Sequence, residues 1–203
     1  ELSGYRQAME YTADFAASRH NLGNMYTNLG QLEKAVKAYQ AAIRIDDQFY
    51  PAKVNLAMVY NRMGKNSEAE LLLREVVQAQ PRLHEAQYSL GLLLAERKKY
   101  GEASLYLSMA ARGLPNRARV HYNLGLLLDF LHKDLEAQAS LLKALELEPG
   151  DLDFLNALAQ FYLKRGKYQE AKSIAEQMIA RYPSNRLGHN LLGFINREIQ
   201  SKE

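Results

Sequence analysis

The sequence has no cysteine and no tryptophan, and only five prolines among its 203 residues. Each shortage removes a class of answer. Without cysteine there is no disulfide, thiolate metal site, cysteine nucleophile or haem-attachment motif, and either redox compartment is tolerated. No run approaches the roughly 18 apolar residues that a membrane-spanning helix needs. The opening residues, ELSGYRQAME, lack the basic start and apolar stretch of a secretory signal. The chain is therefore expected to be soluble, in a cytoplasmic or in a periplasmic or exported setting. An excess of one charge is missing too. The 26 basic and 23 acidic residues leave +3, a balance too small to point to nucleic acid.

What the chain does have is repetition. The pairs Leu22-Gly23, Leu56-Ala57, Leu90-Gly91, Leu124-Gly125, Leu158-Ala159 and Leu192-Gly193 recur every 34 residues without a slip. Twelve residues after the small member stands Ala35, Ala69, Ala103, Ala137 or Ala171. Twelve further on stands Pro81, Pro115, Pro149 or Pro183, with Asp47 as the exception. A fixed period of this length is the mark of stacked supersecondary units.

Each unit reads as two helices. In the first, a leucine is followed four residues on by Tyr26, Tyr60, Leu94, Leu128 or Tyr162, an i, i+4 apolar stripe. It ends at Gly30, Gly64 or Gly166, where glycine accepts a left-handed backbone. Lys98 and His132 hold that place in two units, which predicts tighter or strained turns. The second helix opens near a Glu-Ala pair and runs about 13 residues to the proline, which cannot continue it. Strand and hairpin signals are missing, so the chain is all-α. The small residues let two helix axes approach closely, and a single pair cannot bury its own apolar face, so neighbours must stack.

This pattern of Leu-Gly, Tyr, Ala and Pro at 34 residues resembles the tetratricopeptide repeat family, and "HNLGNMYTNLGQLEKAVKAYQAAIRIDD" is similar to an ideal copy. The resemblance implies a right-handed superhelical α-solenoid of antiparallel helix pairs. Five full repeats are expected at 16–49, 50–83, 84–117, 118–151 and 152–185. Residues 1–15 read as the second helix of a preceding repeat, with Tyr5 and Ala8 in phase. Residues 186–203 read as a first helix without its partner. Such edges suggest a piece of a longer array. The last helix carries Leu187, Leu191, Leu192, Phe194, Ile195 and Ile199, apolar enough for end-to-end self-association into a homo-oligomer.

Catalytic signatures are missing. His20, His84, His121, His132 and His189 include no i, i+4 pair with a glutamate of the zinc-protease kind, and no glycine-rich phosphate loop is present. The expectation is no enzyme, no metal and no cofactor.

In the family, first helices line a concave groove, and the resemblance implies that repeat positions 2, 5, 9 and 12 face it, with position 6 alongside. Those positions hold an apolar strip, Val54, Met58, Tyr88, Leu92, Tyr122 and Leu126. The intra-repeat core is already filled by Leu56, Leu90 and Leu124, so exposure of the strip would mark a binding surface. They also hold a partial asparagine ladder, Asn21, Asn55 and Asn123, whose amides can each donate and accept. A carboxylate clamp of the kind that binds chaperone tails is disfavoured. Its places hold His20, Asn24, Asn55, Glu85 and Ser89, without the cations it needs. Basic residues cluster instead at the turns inside repeats (Arg62, Lys65, Arg97, Lys98, Lys99, Lys133, Lys164, Arg165, Lys167), near helix C-termini.

The expected function is a non-catalytic scaffold that binds a protein, as a peptide or helix, in the groove. The candidate residues are Asn21, Asn24, Val54, Asn55, Met58, Tyr88, Leu92, Tyr122, Asn123 and Leu126. An alternative is an accessory region of a larger enzyme. Residues 41–70 loosely resemble repeat tails attached to bacterial multihaem c-type cytochromes.

Overall fold

In the computed structural model the described residues are 2–200 for the backbone and 15–200 for side chains. They form eleven α-helices and no strand. In chain order these are α1 (Leu2–Asn28), α2 (Leu32–Ile45), α3 (Tyr50–Arg62), α4 (Asn66–Ala79), α5 (His84–Glu96), α6 (Tyr100–Gly113), α7 (Ala118–Phe130), α8 (Asp134–Leu147), α9 (Leu152–Lys164), α10 (Tyr168–Arg181) and α11 (Arg186–Gln200). The chain divides into two compact units, Glu1–Ala110 and Ala111–Glu203.

The punctuation follows the local chemistry. The helices α4, α6, α8 and α10 each stop two residues before a proline, because the residue preceding proline is pushed out of the helical region. At the turns inside the pairs the backbone is left-handed at Gly30, Gly64 and Gly166, with φ between 68° and 75°. It is equally left-handed at Lys98 (φ 61°) and His132 (φ 56°). The next residue's N–H in each turn reaches back to a carbonyl five residues earlier, as in Lys65 to Tyr60 at 2.9 Å and Lys99 to Leu94 at 2.8 Å. This closes the helix end in the Schellman manner. The turn geometry is thus constant, and Lys98 and His132 hold it without glycine's freedom.

Within each unit the small residues sit where helices cross. Ala35, Ala69 and Ala103 in the first unit, and Ala137 and Ala171 in the second, are fully buried. A Cβ on Gly91 would lie 2.8 Å from Leu107 Cγ and 3.1 Å from its backbone nitrogen. A Cβ on Gly125 would meet Leu141 at the same two distances. Ala57 and Ala159 hold the equivalent place in their repeats and are also buried. On α11 the crossing is open, and a Cβ on Gly193 would meet nothing within 4 Å among the described residues. Larger side chains fill the remaining space, among them Tyr39, Leu73, Leu90, Leu94, Leu141, Phe154 and Phe161.

One expectation changes. α1 runs unbroken from Leu2 to Asn28, across the boundary expected between residues 15 and 16. Neither proline nor glycine interrupts residues 5–22, so nothing local ends the helix there. The expected phase of Tyr5 and Ala8 lies outside the described side chains.

Candidate protein-interaction faces

In the first unit, α1, α3 and α5 are the first helices, and one polar network joins α1, α2 and α3. The Asn55 amide donates to His20 Nε2 at 2.9 Å and to Asn24 Oδ1 at 2.8 Å. Tyr39 Oη donates to the same Asn24 oxygen at 2.7 Å and lies 3.1 Å from the Thr27 hydroxyl, which donates to Gly23 O at 2.8 Å. With Nε2 accepting, the His20 ring is neutral with its proton on Nδ1. Burial lowers the His20 pKa, in keeping with that state. The ring packs between Tyr39 and Phe49, with centroids 5.7 and 5.4 Å away. Burial raises the Tyr39 pKa, partly offset by the Thr27 hydrogen bond. Tyr39 was not visible as a site residue from first-helix positions alone. Its signal is the aromatic placed opposite Gly23, where the repeats of Gly91 and Gly125 place leucine.

The apolar strip in this unit splits. Val54 (6 % exposed) and Tyr88 (9 %) are buried, not on the surface as expected, because α3 and α5 pack against each other. Met58 is 52 % exposed, Leu92 is half-buried, and Asn21 is exposed. Met58 and Leu92 are thus the accessible members of the strip in this unit, and Val54 and Tyr88 the buried ones.

In the second unit, α7 and α9 are the first helices. Tyr122 stacks on Phe154, 4.8 Å between centroids, and the Arg119 guanidinium lies over both rings. Arg119 also pairs with Asp151 at 3.0 Å and Asp153 at 3.4 Å. Burial, then the negative charge of Asp153, raises the Tyr122 pKa. Leu126 is 39 % exposed, while Tyr122 and Asn123 are half-buried.

Several turn cations have structural partners. Glu70, nearly buried, takes Arg74, Arg97 and Lys99 at 2.8, 2.7 and 2.8 Å. Burial alone would raise its pKa, but the hydrogen bonds and charges of Lys99 and Arg74 outweigh that and hold it low. In the second unit Asp129 binds Lys164 and Arg165, both at 2.8 Å. There too the cations outweigh burial and lower the carboxyl. Arg165 also pairs with Asp134 and lies over the Phe161 ring. His121 and His189 each bond the carbonyl of the proline six residues earlier, at 3.0 and 3.1 Å. Gln87 does the same for Pro81 at 2.7 Å. Among the described residues no three histidine, aspartate or glutamate side chains gather to hold a metal, and no helix is long and apolar enough to cross a membrane.

Family models, each described as tetratricopeptide repeat, match residues 16–49, 54–118, 118–151 and 135–193. The chain belongs to the tetratricopeptide repeat family. As such it is an all-α solenoid and, in general terms, a protein-interaction scaffold. No curated protein sequence matches it. Among solved structures it is similar to the pilF protein of Pseudomonas aeruginosa, with TM-score 0.82 and 23 % identity, covering 94 % of this chain and 87 % of that one. MamA from Desulfovibrio magneticus RS-1, residues 41 to the end, gives TM-score 0.74 and 20 % identity, covering 85 % and 97 %. YrrB, described as a tetratricopeptide repeat protein with an unusual peptide-binding site, gives 0.69 and 21 %, covering 92 % and 96 %. At these identities the likeness is one of fold.

Proposed function

We propose that this tetratricopeptide repeat chain binds a peptide across the first helices of its first unit. The observation that carries the reading is the state of two amides. Asn24 uses its oxygen to accept from Tyr39 and Asn55, and Asn55 uses both amide hydrogens on His20 and Asn24. Asn24 Nδ2 and Asn55 Oδ1 have no partner among the described residues, and both side chains are half-exposed. One donor and one acceptor are what a single peptide unit requires. The network orients them in advance, so little ordering is needed on binding. Met58, one turn further along α3, and Leu92 would take an apolar side chain of the bound segment. Met is suited to that because its unbranched thioether adapts to different shapes. In the second unit Leu126, beside Tyr122 and Asn123, offers a smaller apolar contact of the same kind.

The test is a random-peptide display selected on the chain. Enriched peptides should lose about tenfold or more in affinity on Met58→Glu and on Asn24→Leu. If the enriched peptides bind both variants as well as the parent, with helical content unchanged, the reading fails.

A second reading rests on α11, where Leu187 (38 %) and Phe194 (44 %) are exposed on one face. We infer self-association through that face. Sedimentation should show a concentration-dependent dimer that Phe194→Glu removes, and a monomer at every concentration would rule it out.

A further inference from the structure

The second helices of the first unit carry a different feature. A cavity of about 600 Å³ opens between α2 and α4, within the range of ligand-binding clefts, roughly 300–1,000 Å³. Ile43, Leu56, Tyr60, Leu71 and Leu72 line it. Leu56 is buried and forms the floor, whereas Leu71 is 74 % exposed on the α4 wall. Nothing in the packing of the helix pairs calls for a leucine at that exposed position, since Ala69, Leu73 and Val76 already supply the buried face of α4.

The two walls carry opposite charge. On α2, Arg44 lines the groove, and Lys37, seven residues and about 10 Å earlier, shares its helix face without lining the groove itself. On α4, Glu68 and Glu75 have the same spacing. Glu75 is held by Lys53 at 2.6 Å. Lys37, Arg44 and Glu68 are exposed and have no ion-pair partner among the described residues.

We propose that this groove docks an amphipathic helix of a protein partner. The guest would lay an apolar ridge over Leu71, with an acidic flank toward α2 and a basic flank toward α4. An apolar ridge in a groove gives the attraction, and the charged walls set which helices are admitted. A helix acidic on both flanks meets Glu68, and one basic on both meets Lys37 and Arg44. Only a helix of divided charge satisfies both walls. The walls are second helices and the floor is α3, but none of Asn24, Asn55, Met58 and Leu92 of the peptide-binding face lines the groove, so the two readings stand or fall separately.

The test uses three synthetic 14-residue amphipathic helices sharing one leucine ridge. Their flanks are mixed, all acidic or all basic, and fluorescence anisotropy is read on the full chain at low salt, where surface charge is least screened. The mixed helix should bind about tenfold more tightly than either other. Leu71→Ala should weaken it about tenfold, and its exposure makes that change compatible with an intact fold. Lys37→Glu with Arg44→Glu makes both walls acidic and should transfer the preference to the all-basic helix. Glu68→Lys should transfer it to the all-acidic helix, so one variant suffices if the other fails to fold. Equal binding of the three helices, no binding of the mixed one, or indifference to Leu71→Ala would each overturn the proposal.

Discussion

At the scale of single residues the most informative positions are those that break the repeat's own rule. Lys98 and His132 hold a left-handed backbone that three other turns give to glycine. A side chain there costs about 1–2 kcal/mol, less the roughly 0.4–1 kcal/mol that glycine loses by its greater freedom when unfolded. Lys98→Gly is therefore expected to raise stability by about 0.5–1 kcal/mol in urea unfolding, and His132→Gly by a similar amount. Glu70 shows the opposite situation, a side chain its surroundings need. Its folded pKa lies below the ordinary value, so its contribution is fully present above the unfolded pKa of about 4.3 and is lost as pH falls through the folded value. Glu70→Gln leaves Arg97 and Lys99 without their acid. Because those cations are 30 and 40 % exposed, the cost at pH 7 should be about 1–3 kcal/mol, not the larger cost of a fully buried pair. Thermal unfolding of parent and variant should converge as pH drops below about 4.

At the scale of elements the helix pair is the unit, and its crossing point sets its tolerance. Ala137 is fully buried on α8, and on the facing α7 Gly125 has no room for a Cβ against Leu141. Ala137→Leu should overpack this crossing and cost about 1–3 kcal/mol, measured by chemical denaturation. The helix ends are set by different means. α9 has a side-chain N-cap, Asp151, which accepts from Asp153 N and Phe154 N at 2.9 and 3.1 Å, and before α11 Asn185 accepts from Leu187 N at 2.8 Å. α1 shows the converse, since a period in the sequence does not end a helix where no breaker stands.

At the scale of the whole molecule, a repeat array distributes stability among neighbouring pairs. The destabilisation from Ala137→Leu should therefore be local. Hydrogen exchange should quicken most in α7, α8 and α9, while α2, α3 and α4 keep their protection. Uniform acceleration along the chain would show a single cooperative unit instead.

The sequence by itself determined the repeat length, the two-helix unit, the small residues at crossings and the turns, though it expected a helix boundary between residues 15 and 16 where α1 runs on unbroken. These are local properties: a proline, a left-handed turn or an i, i+4 stripe acts on its own neighbourhood. It also pointed to the first helices as the place where repeats differ. Only the tertiary structure decided what those differences do. Val54 and Tyr88 lie under the surface because α3 meets α5, and Asn55 spends both amide hydrogens on residues 31 and 35 positions away. Arg97 and Lys99 are bound to Glu70 across 27 and 29 residues. The opposed walls of α2 and α4 become a groove only once α3 lies beneath them. Burial, pairing and charge complementarity depend on which distant side chain arrives within about 3 Å, and a 34-residue period does not contain that distance.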